Sequence, residues 1–319
     1  MRPLAEDGVV IHAPAKLNLF LEVLSKRSDG FHEIETLMCP ITWYDTLVFR
    51  DEPKGSVRFA CEFAVDPTRQ GSASQGDVPS DATNLVVRAV ELLRRTFGVA
   101  RGAQLRLVKR IPASAGLAGG SSNAAAALVA ANLVWRLGRS AAELAELAAQ
   151  LGSDVPFFLA GGAAVCRGRG EQITRVGELG ELAAVVVRPP VGLTTADVYR
   201  ACQPATEPRA VQPLLDAWRG GDRRRLAAGL CNRLQGAAET LCPWMQRLRQ
   251  EFSRLNFDGH QMSGSGTSYF GLCRHRRQAR ALAAVLRGRG LGQVFAVQGC
   301  RGMILQGERL WKSPKFASS

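Results

Sequence analysis

The sequence lacks the features that would place it in a specialised class of protein. Its 319 residues contain no apolar run near the roughly 18 residues that a membrane-spanning helix needs. The opening MRPLAEDGVV has no apolar core of the kind that signal peptides carry. The remaining composition, 46% hydrophobic and 22% charged, is ordinary for a globular protein with a large core. We therefore expect a cytoplasmic protein that does not enter a membrane.

Close pairs of cysteine are also missing. The chain has eight cysteines, and none of them forms a CxxC pair. That spacing disfavours a zinc site, and the length of the chain disfavours a disulfide framework. Buried thiols in a reducing compartment are the better interpretation.

Lysine is scarce, so the formal net charge of +13 comes almost entirely from arginine. Such a charge suits either a nucleic-acid partner or small ligands that carry phosphate groups. The arginine clusters RGGDRRR (219–225) and RHRRQAR (274–280) have no aromatic residues between the basic ones. That pattern favours solvated helix faces over a nucleic-acid surface.

Strand-like and helix-like segments alternate without a regular βαβ repeat. Residues 84–97 have the apolar spacing of an amphipathic helix that Gly98 ends, and residues 238–255 also indicate a helix. The opening strands are predicted to be two short ones joined at Pro14. The polar segment 66–82 is typical of a long surface loop. We predict an α+β protein of two lobes.

A stretch poor in side chains, IPASAGLAGGSSNAAAAL (111–128), leads directly into a predicted helix. The first turn of a helix presents free backbone N–H groups and a partial positive charge, and a bare loop in front of it lets an anion approach them. Neither GxxxxGK[ST] nor GxGxxG is present. A helix-entry turn built for close packing is the alternative that this loop alone leaves open.

Four stretches taken together narrow the interpretation. They are PAKLNLFLEVLSKRSDGFHEIETLM, IPASAGLAGGSSNAAAAL, GSDVPFFLAGGAAVCRGRGE and MSGSGTSYF, in that order along the chain. In this order they resemble the GHMP small-molecule kinases, from about residue 11 to about residue 300. The first and third stretches resemble most closely the branch whose substrate is a methylerythritol joined to cytidine diphosphate.

This resemblance implies a fold and a nucleotide site. The fold has a ribosomal-protein-S5-like N-terminal lobe, predicted here as residues 1–172, and a ferredoxin-like C-terminal lobe, residues 173–319, with the active site between them. ATP, with Mg²⁺, would bind the loop matched by Gly116, Leu117, Ala118, Gly119, Gly120, Ser121 and Ser122. Asn84 and Lys109 match positions near the adenosine, although Asn84 suits a helix N-cap equally well. No magnesium ligand is assigned.

The same resemblance implies two catalytic residues. Asp154, in GSDVPFF, matches the aspartate that takes the proton from the substrate hydroxyl, and Lys16, in PAKLN, matches the lysine beside it. A carboxylate helps an alcohol to attack by general-base catalysis, and an ammonium keeps that carboxylate ionised. The alternatives are a helix cap for Asp154 and a surface lysine for Lys16.

The substrate end is implied residue by residue. Phe31 and His32 match the aromatic–histidine pair that holds the cytosine base, and Asn18 matches a polar residue of the substrate pocket. Thr195 and Tyr199 match positions at the substrate diphosphate and at the other face of the base. The third family motif is matched by Gly264, Ser265 and Gly266, which would support the phosphate loop and close the cleft on the substrate.

The expected reaction is ATP-dependent phosphorylation of a hydroxyl of the cytidine-diphosphate-linked methylerythritol to its 2-phosphate, in non-mevalonate isoprenoid biosynthesis, by a monomer or homodimer. The alternatives are another GHMP kinase, for homoserine, mevalonate or a sugar, and a basic RNA-binding protein. The chain departs from the family at Ser114 and Ala118, where glycine is usual. If Ala118 needs a positive φ, its methyl group would lower the affinity for ATP.

Overall fold

A computed structural model describes residues 8–64, 78–177 and 180–306. Most of the predicted 66–82 loop, up to residue 77, lies outside the described residues. The described strands are β1 Gly8–Lys26, β2 His32–Glu52, β3 Val57–Phe63, β4 Gly102–Lys109, β5 Ala164–Arg167, β6 Gln172–Arg175, β7 Ala183–Arg188, β8 Cys231–Asn232, β9 Gly259–Met262, β10 Tyr269–Cys273, β11 Gln293–Gln298 and β12 Ile304–Gln306. The described helices are α1 Leu85–Phe97, α2 Gly119–Val134, α3 Ala141–Leu151, α4 Val155–Ala160, α5 Thr195–Ala201, α6 Gln212–Arg219, α7 Arg223–Gly229, α8 Leu234–Leu241, α9 Pro243–Ser253 and α10 Arg276–Arg287.

The first sheet is built on a long antiparallel pair. Its order is β12-β1-β2-β4-β3; β5 pairs with residues 36–38 of β2 and with β6, and β8 lies beside β1. The prediction of two short strands joined at Pro14 is wrong, because β1 runs unbroken through that proline. The register against β2 shifts between Pro14 and Ala15 and twice more further on, which makes β1 bulged and explains its imperfect alternation.

Helices α1, α2 and α3 pack on this sheet around one apolar core. The helix predicted over 84–97 is confirmed as α1, and Gly98 ends it with a left-handed φ of 63°. Ser140 is the N-cap of α3 and forms a capping box with Glu143. Helix α2 is apolar and almost wholly buried, so the sheet and the neighbouring helices fix its direction.

The second sheet is antiparallel, in the order β11-β7-β10-β9. Helices α8, α9 and α10 cover it, and they share a core that contains Met245, Phe252 and Tyr269. The single helix predicted over 238–255 is wrong in one respect: Cys242 is extended and Pro243 begins a new helix. The mixture of two sheets and packed helices confirms the α+β prediction.

Strands β8 and β12 come late in the sequence but complete the first sheet. The two parts of the chain are thus tied by backbone pairing, and the boundary at residues 172/173 stays a prediction. Within the described residues, we find no helix that combines the length and apolar character needed to cross a membrane.

Candidate active site

A cavity of about 1050 Å³ lies between the glycine-rich loop, the turn end of the long β1–β2 hairpin and the start of α5. Seventeen of the nineteen site residues predicted from the sequence line it. Leu117 and Ser122 do not: both side chains are fully buried, behind the loop. Leu117 still contributes its backbone, since its carbonyl accepts a hydrogen bond of 3.1 Å from the Lys16 N–H. Any direct binding role for Leu117 and Ser122 stays a prediction.

Lys16 and Asp154 meet in this cavity although they are far apart in sequence. The Lys16 Nζ lies 3.8 Å from an Asp154 carboxylate oxygen and donates a hydrogen bond to the Asn18 amide oxygen. Asn18 is held in turn, because its Nδ2 donates a 2.8 Å bond to the Thr36 hydroxyl. A chain of polar contacts therefore orients the lysine toward the carboxylate.

The surroundings of the two charges differ. Lys16 is buried, and burial lowers its pKa, while the Asp154 carboxylate opposes that shift. The Asp154 side chain is 36% exposed to the cavity. Asp154 occupies the N-cap position of α4, but its side chain makes no capping hydrogen bond. The cap alternative therefore has no support, and the carboxylate is available to a ligand.

Three left-handed residues shape the glycine-rich loop. Ser114, Gly116 and Ala118 have φ values of 49°, 71° and 53°. The loop therefore does need a positive φ at both positions where family members usually have glycine. A methyl group at Gly116 would lie only 2.1 Å from the Ser263 carbonyl oxygen, so this close approach requires glycine.

Helix α2 begins at Gly119, within the glycine-rich stretch itself. The first N–H group bonded within the helix is that of Ser122, to the Ala118 carbonyl at 3.0 Å. The N–H groups of Gly119, Gly120 and Ser121 therefore have no partner from the helix itself, and these three residues line the cavity. This arrangement is a ready anion site.

The third glycine motif is fastened to this loop. The Ser263 hydroxyl donates to the Gly116 carbonyl at 3.0 Å, and the Ser268 N–H donates to the Ala115 carbonyl at 3.1 Å. Ser265 bonds the Thr195 hydroxyl at 3.0 Å. The motif thus links the loop to α5. Closure of the cleft on a substrate by this motif stays a prediction.

Aromatic side chains lie at the opposite end of the cavity. His32 packs against Tyr199 with ring centroids 5.1 Å apart, and the Arg169 guanidinium lies 4.8 Å from the centre of the Phe31 ring. A turn presents Phe31, whose N–H donates to Asp29 at 3.1 Å, and leaves the ring half exposed. Burial and the nearby Lys26 lower the His32 pKa, which favours the neutral imidazole, a form that offers one donor and one acceptor.

Basic side chains outnumber acidic ones around the cavity. Among the described residues that line it, Asp154 is the single carboxylate, and the cations are Lys16, Lys26, Lys109, Arg169 and Arg200. Sequence reasoning missed Lys26, Arg169 and Arg200, although Lys26 and Arg169 lie within the first and third of the family-like stretches. Such a cavity suits ligands that carry several phosphate groups.

Asn84 and Lys109 are both in place at the loop end of the cavity. Asn84 is also the N-cap of α1, since its Oδ1 accepts a 2.9 Å bond from the Val86 N–H. Lys109 is buried and paired with Asp45. Contact of either residue with adenosine stays a prediction.

The chain is similar to known proteins over most of its length. Residues 84–162 match the family model of the GHMP kinases N terminal domain, and residues 212–290 match that of the GHMP kinases C terminal. The chain is 44% identical over 277 residues to 4-diphosphocytidyl-2-C-methyl-D-erythritol kinase of Pelotomaculum thermopropionicum, which covers 86% of this chain and 92% of the relative.

Solved structures give the same picture. A crystal structure of 4-(cytidine 5'-diphospho)-2C-methyl-D-erythritol kinase superposes with a TM-score of 0.73 at 36% identity, over 91% of this chain and 99% of that one. Homoserine kinase from Cytophaga hutchinsonii also gives a TM-score of 0.73, over 96% and 99% of the two chains. At 19% identity that second likeness concerns the fold alone.

Proposed function

Because this chain belongs to the 4-diphosphocytidyl-2-C-methyl-D-erythritol kinase family of GHMP kinases, we propose that it transfers the γ-phosphoryl group of ATP to the 2-hydroxyl of that substrate. The product is the 2-phosphate, an intermediate of non-mevalonate isoprenoid biosynthesis. The observation that carries this assignment is the Lys16–Asp154 pair, which lies in one cavity with an anion-binding loop and with an aromatic cluster.

The loop end would hold the nucleotide. The N–H groups of Gly119, Gly120 and Ser121 and the dipole of α2 suit the phosphates of ATP. The same cavity continues past Asn84 and Lys109, which leaves room there for the adenosine. We include Mg²⁺ in the proposal. Asp154 is the single carboxylate among the described lining residues, so water and phosphate oxygens would supply most of the ligands of the magnesium ion.

The pair would perform the proton transfer. Asp154 would accept the proton of the substrate hydroxyl, since its carboxylate faces the cavity and makes no capping bond. Lys16 would keep that carboxylate ionised and offset charge on the attacking oxygen. Asn18 holds the lysine in place for both tasks. The remaining catalysis is positioning of the phosphoryl group.

The aromatic end would recognise the cytidine diphosphate group. The half-exposed Phe31 ring offers a stacking face, and neutral His32 can both donate to and accept from the edge of cytosine. Arg169, Lys26 and Arg200 would balance the charge of the diphosphate. Thr195 lies at the start of α5, between this end and the third glycine motif. This combination favours a cytidylated substrate over the small acids and sugars of other GHMP kinases.

A coupled assay of ADP release tests the proposal. We expect turnover with 4-diphosphocytidyl-2-C-methyl-D-erythritol and no turnover with mevalonate or homoserine. Cytidine diphosphate should inhibit the reaction. A folded sample that phosphorylates mevalonate or homoserine, and that cytidine nucleotides do not inhibit, would favour another GHMP kinase activity instead.

A further inference from the structure

A buried aspartate outside the predicted site holds the start of helix α2 in place. Asp45, on β2, is fully buried, and its Oδ1 accepts backbone bonds of 2.6 Å from Arg110 and 2.8 Å from Ile111. Its Oδ2 accepts from the Lys109 Nζ and, at 3.0 Å, from the Asn123 Nδ2. One carboxylate thereby joins the end of β4, the entry to the glycine-rich loop and the first turns of α2.

A second aspartate of the same strand holds the other end of that helix. Asp51 Oδ1 accepts a 3.2 Å bond from the indole N–H of Trp135, the C-cap of α2. Six residues of strand span about 20 Å, and the twelve residues from Asn123 to Trp135 span about 18 Å of helix. Because six is an even number, both aspartates lie on the face of β2 that α2 covers. The helix is therefore fixed to the strand at both ends.

The Asp45 contacts reach the cavity wall directly. A methyl group at Gly119 would lie 3.1 Å from the Lys109 Nζ and 2.9 Å from the Ile111 Cγ2, so two of the four Asp45 partners lie close to the first residue of α2. Asn123 lines the cavity, and its Oδ1 is buried without a hydrogen-bond partner among the described residues. Any shift of these partners would move the N–H groups of Gly119 and Gly120.

We propose that Asp45 is a positioning residue of the nucleotide site, which sets the direction of the loop N–H groups through Lys109, Asn123 and the backbone of residues 110–111. The inference rests on the proposed function only in naming ATP as the anion. It needs no contact between Asp45 and the nucleotide, because Asp45 acts through its partners. Asp51, at the far end of α2, also fixes the helix to β2, but it does not set the direction of the loop N–H groups.

The test compares Asp45→Asn with Asp51→Asn in the full chain. For Asp45→Asn, we expect the Kd of a non-hydrolysable ATP analogue, measured by calorimetry, and the KM for ATP to rise about 10- to 100-fold, as for a misplacement of about 1 Å. The KM for the cytidylated substrate should stay within about two-fold, since the aromatic end does not contact Asp45. Asp51→Asn should lower the melting temperature and leave both nucleotide constants unchanged.

A second pair of variants covers the case in which Asp45→Asn does not fold. Asn123→Ala removes one partner of Asp45, and Asn132→Ala removes a buried asparagine of the same helix whose side chain bonds the Arg139 backbone. We expect Asn123→Ala to bind the ATP analogue more weakly than the wild type, and Asn132→Ala to bind it as tightly as the wild type. The proposal would be overturned if Asp45→Asn and Asp51→Asn had the same analogue Kd and KM for ATP, and Asn123→Ala and Asn132→Ala did too. Because binding of the analogue is measured without turnover, failure of the proposed reaction would not be mistaken for failure of this inference.

Discussion

Lys16 Nζ and an Asp154 carboxylate oxygen lie 3.8 Å apart, one on the first strand and the other at the start of α4. We predict that Asp154→Asn lowers kcat by roughly 10²- to 10⁴-fold, the usual contribution of a general base, because the amide cannot accept the proton. The ATP-analogue Kd should change little, since the loop N–H groups stay in place. Single-turnover ADP release and calorimetry measure the two quantities.

Asp216→Asn is the matched control for that variant. Asp216 is an exposed carboxylate of α6 that contacts Arg219 and Gln212 and does not line the cavity. Its substitution should leave kcat unchanged. Near-normal turnover by Asp154→Asn would contradict the assignment of the base.

Lys16 makes activity and stability respond to alkaline pH in opposite directions. Burial lowers its pKa below the ordinary lysine value of 10.5. The ammonium, and with it turnover, should therefore be lost at a lower pH than for an exposed lysine. Between the two pKa values the unfolded chain binds more protons, so the contribution of Lys16 to the free energy of unfolding rises with pH.

The measurement is a pH series of kcat and of urea unfolding for the wild type and for Lys16→Met. We expect the rise with pH in the Lys16 contribution to the free energy of unfolding to disappear in Lys16→Met. Lys54→Met, which removes an exposed lysine of a turn outside the cavity, should preserve it. A wild type whose kcat stays constant up to pH 10.5 would show that the charge of Lys16 is not needed.

Much of the site could be predicted because its chemistry lies in short, contiguous motifs. Glycine at 116 and 264 and small residues at the start of α2 leave a recognisable pattern, since only they allow such close backbone approach. The helices at 85–97 and 141–151 were predictable from apolar spacing and caps. These are local effects of the chain.

The parts that could not be predicted depend on tertiary contacts. Asp45, in WYDTLVFR, has the pattern of an ordinary polar strand residue, and only the tertiary fold brings the end of β4, the loop entry and α2 together as its four donors. Arg169 lies among many arginines, and its place above Phe31 follows from the fold. The continuity of β1 through Pro14 was missed because the bulge, rather than a break, relieves the proline.

Ala118 is a strained residue whose replacement by glycine should stabilise the protein. A left-handed φ costs an L-residue about 1–2 kcal/mol, which glycine would recover. Glycine also gives the unfolded chain more conformational entropy, which offsets about 0.4–1 kcal/mol of that gain. The net effect of Ala118→Gly is a gain of about 0.5–1 kcal/mol in the free energy of unfolding. The ATP affinity should rise or stay the same, because the conformation of the loop is kept.

Urea unfolding of Ala118→Gly and of Ala127→Gly measures this effect. Ala127 lies inside α2 with its methyl group buried, so its replacement should destabilise by about 1 kcal/mol or more. A loss of stability in both variants would mean that the strain at Ala118 is not relieved by glycine.

Phe31 should matter for the cytidylated substrate and not for ATP. Stacking of a base on an aromatic ring contributes about 1–3 kcal/mol, so Phe31→Ala should raise the KM for that substrate about ten-fold. The ring is half exposed, and its loss should cost little stability. Phe63→Ala, at an exposed position of β3 outside the cavity, is the control. A raised KM for ATP instead would place the base-stacking site elsewhere.

Gly264 separates backbone strain from crowding of the catalytic lysine. It has a φ of 57°, and a methyl group there would lie 3.1 Å from the Lys16 Nζ and 3.3 Å from the Asn18 Oδ1. Gly290 has a similar φ of 63° with nothing near its missing side chain. Substitution of either by alanine should cost about 1–2 kcal/mol of stability. Only Gly264→Ala should also lower kcat, because its methyl group displaces Lys16 from Asp154. Equal kcat values for the two variants would show that the Lys16 position tolerates crowding, and the narrow gap between Gly264 and Lys16 would then have no part in catalysis.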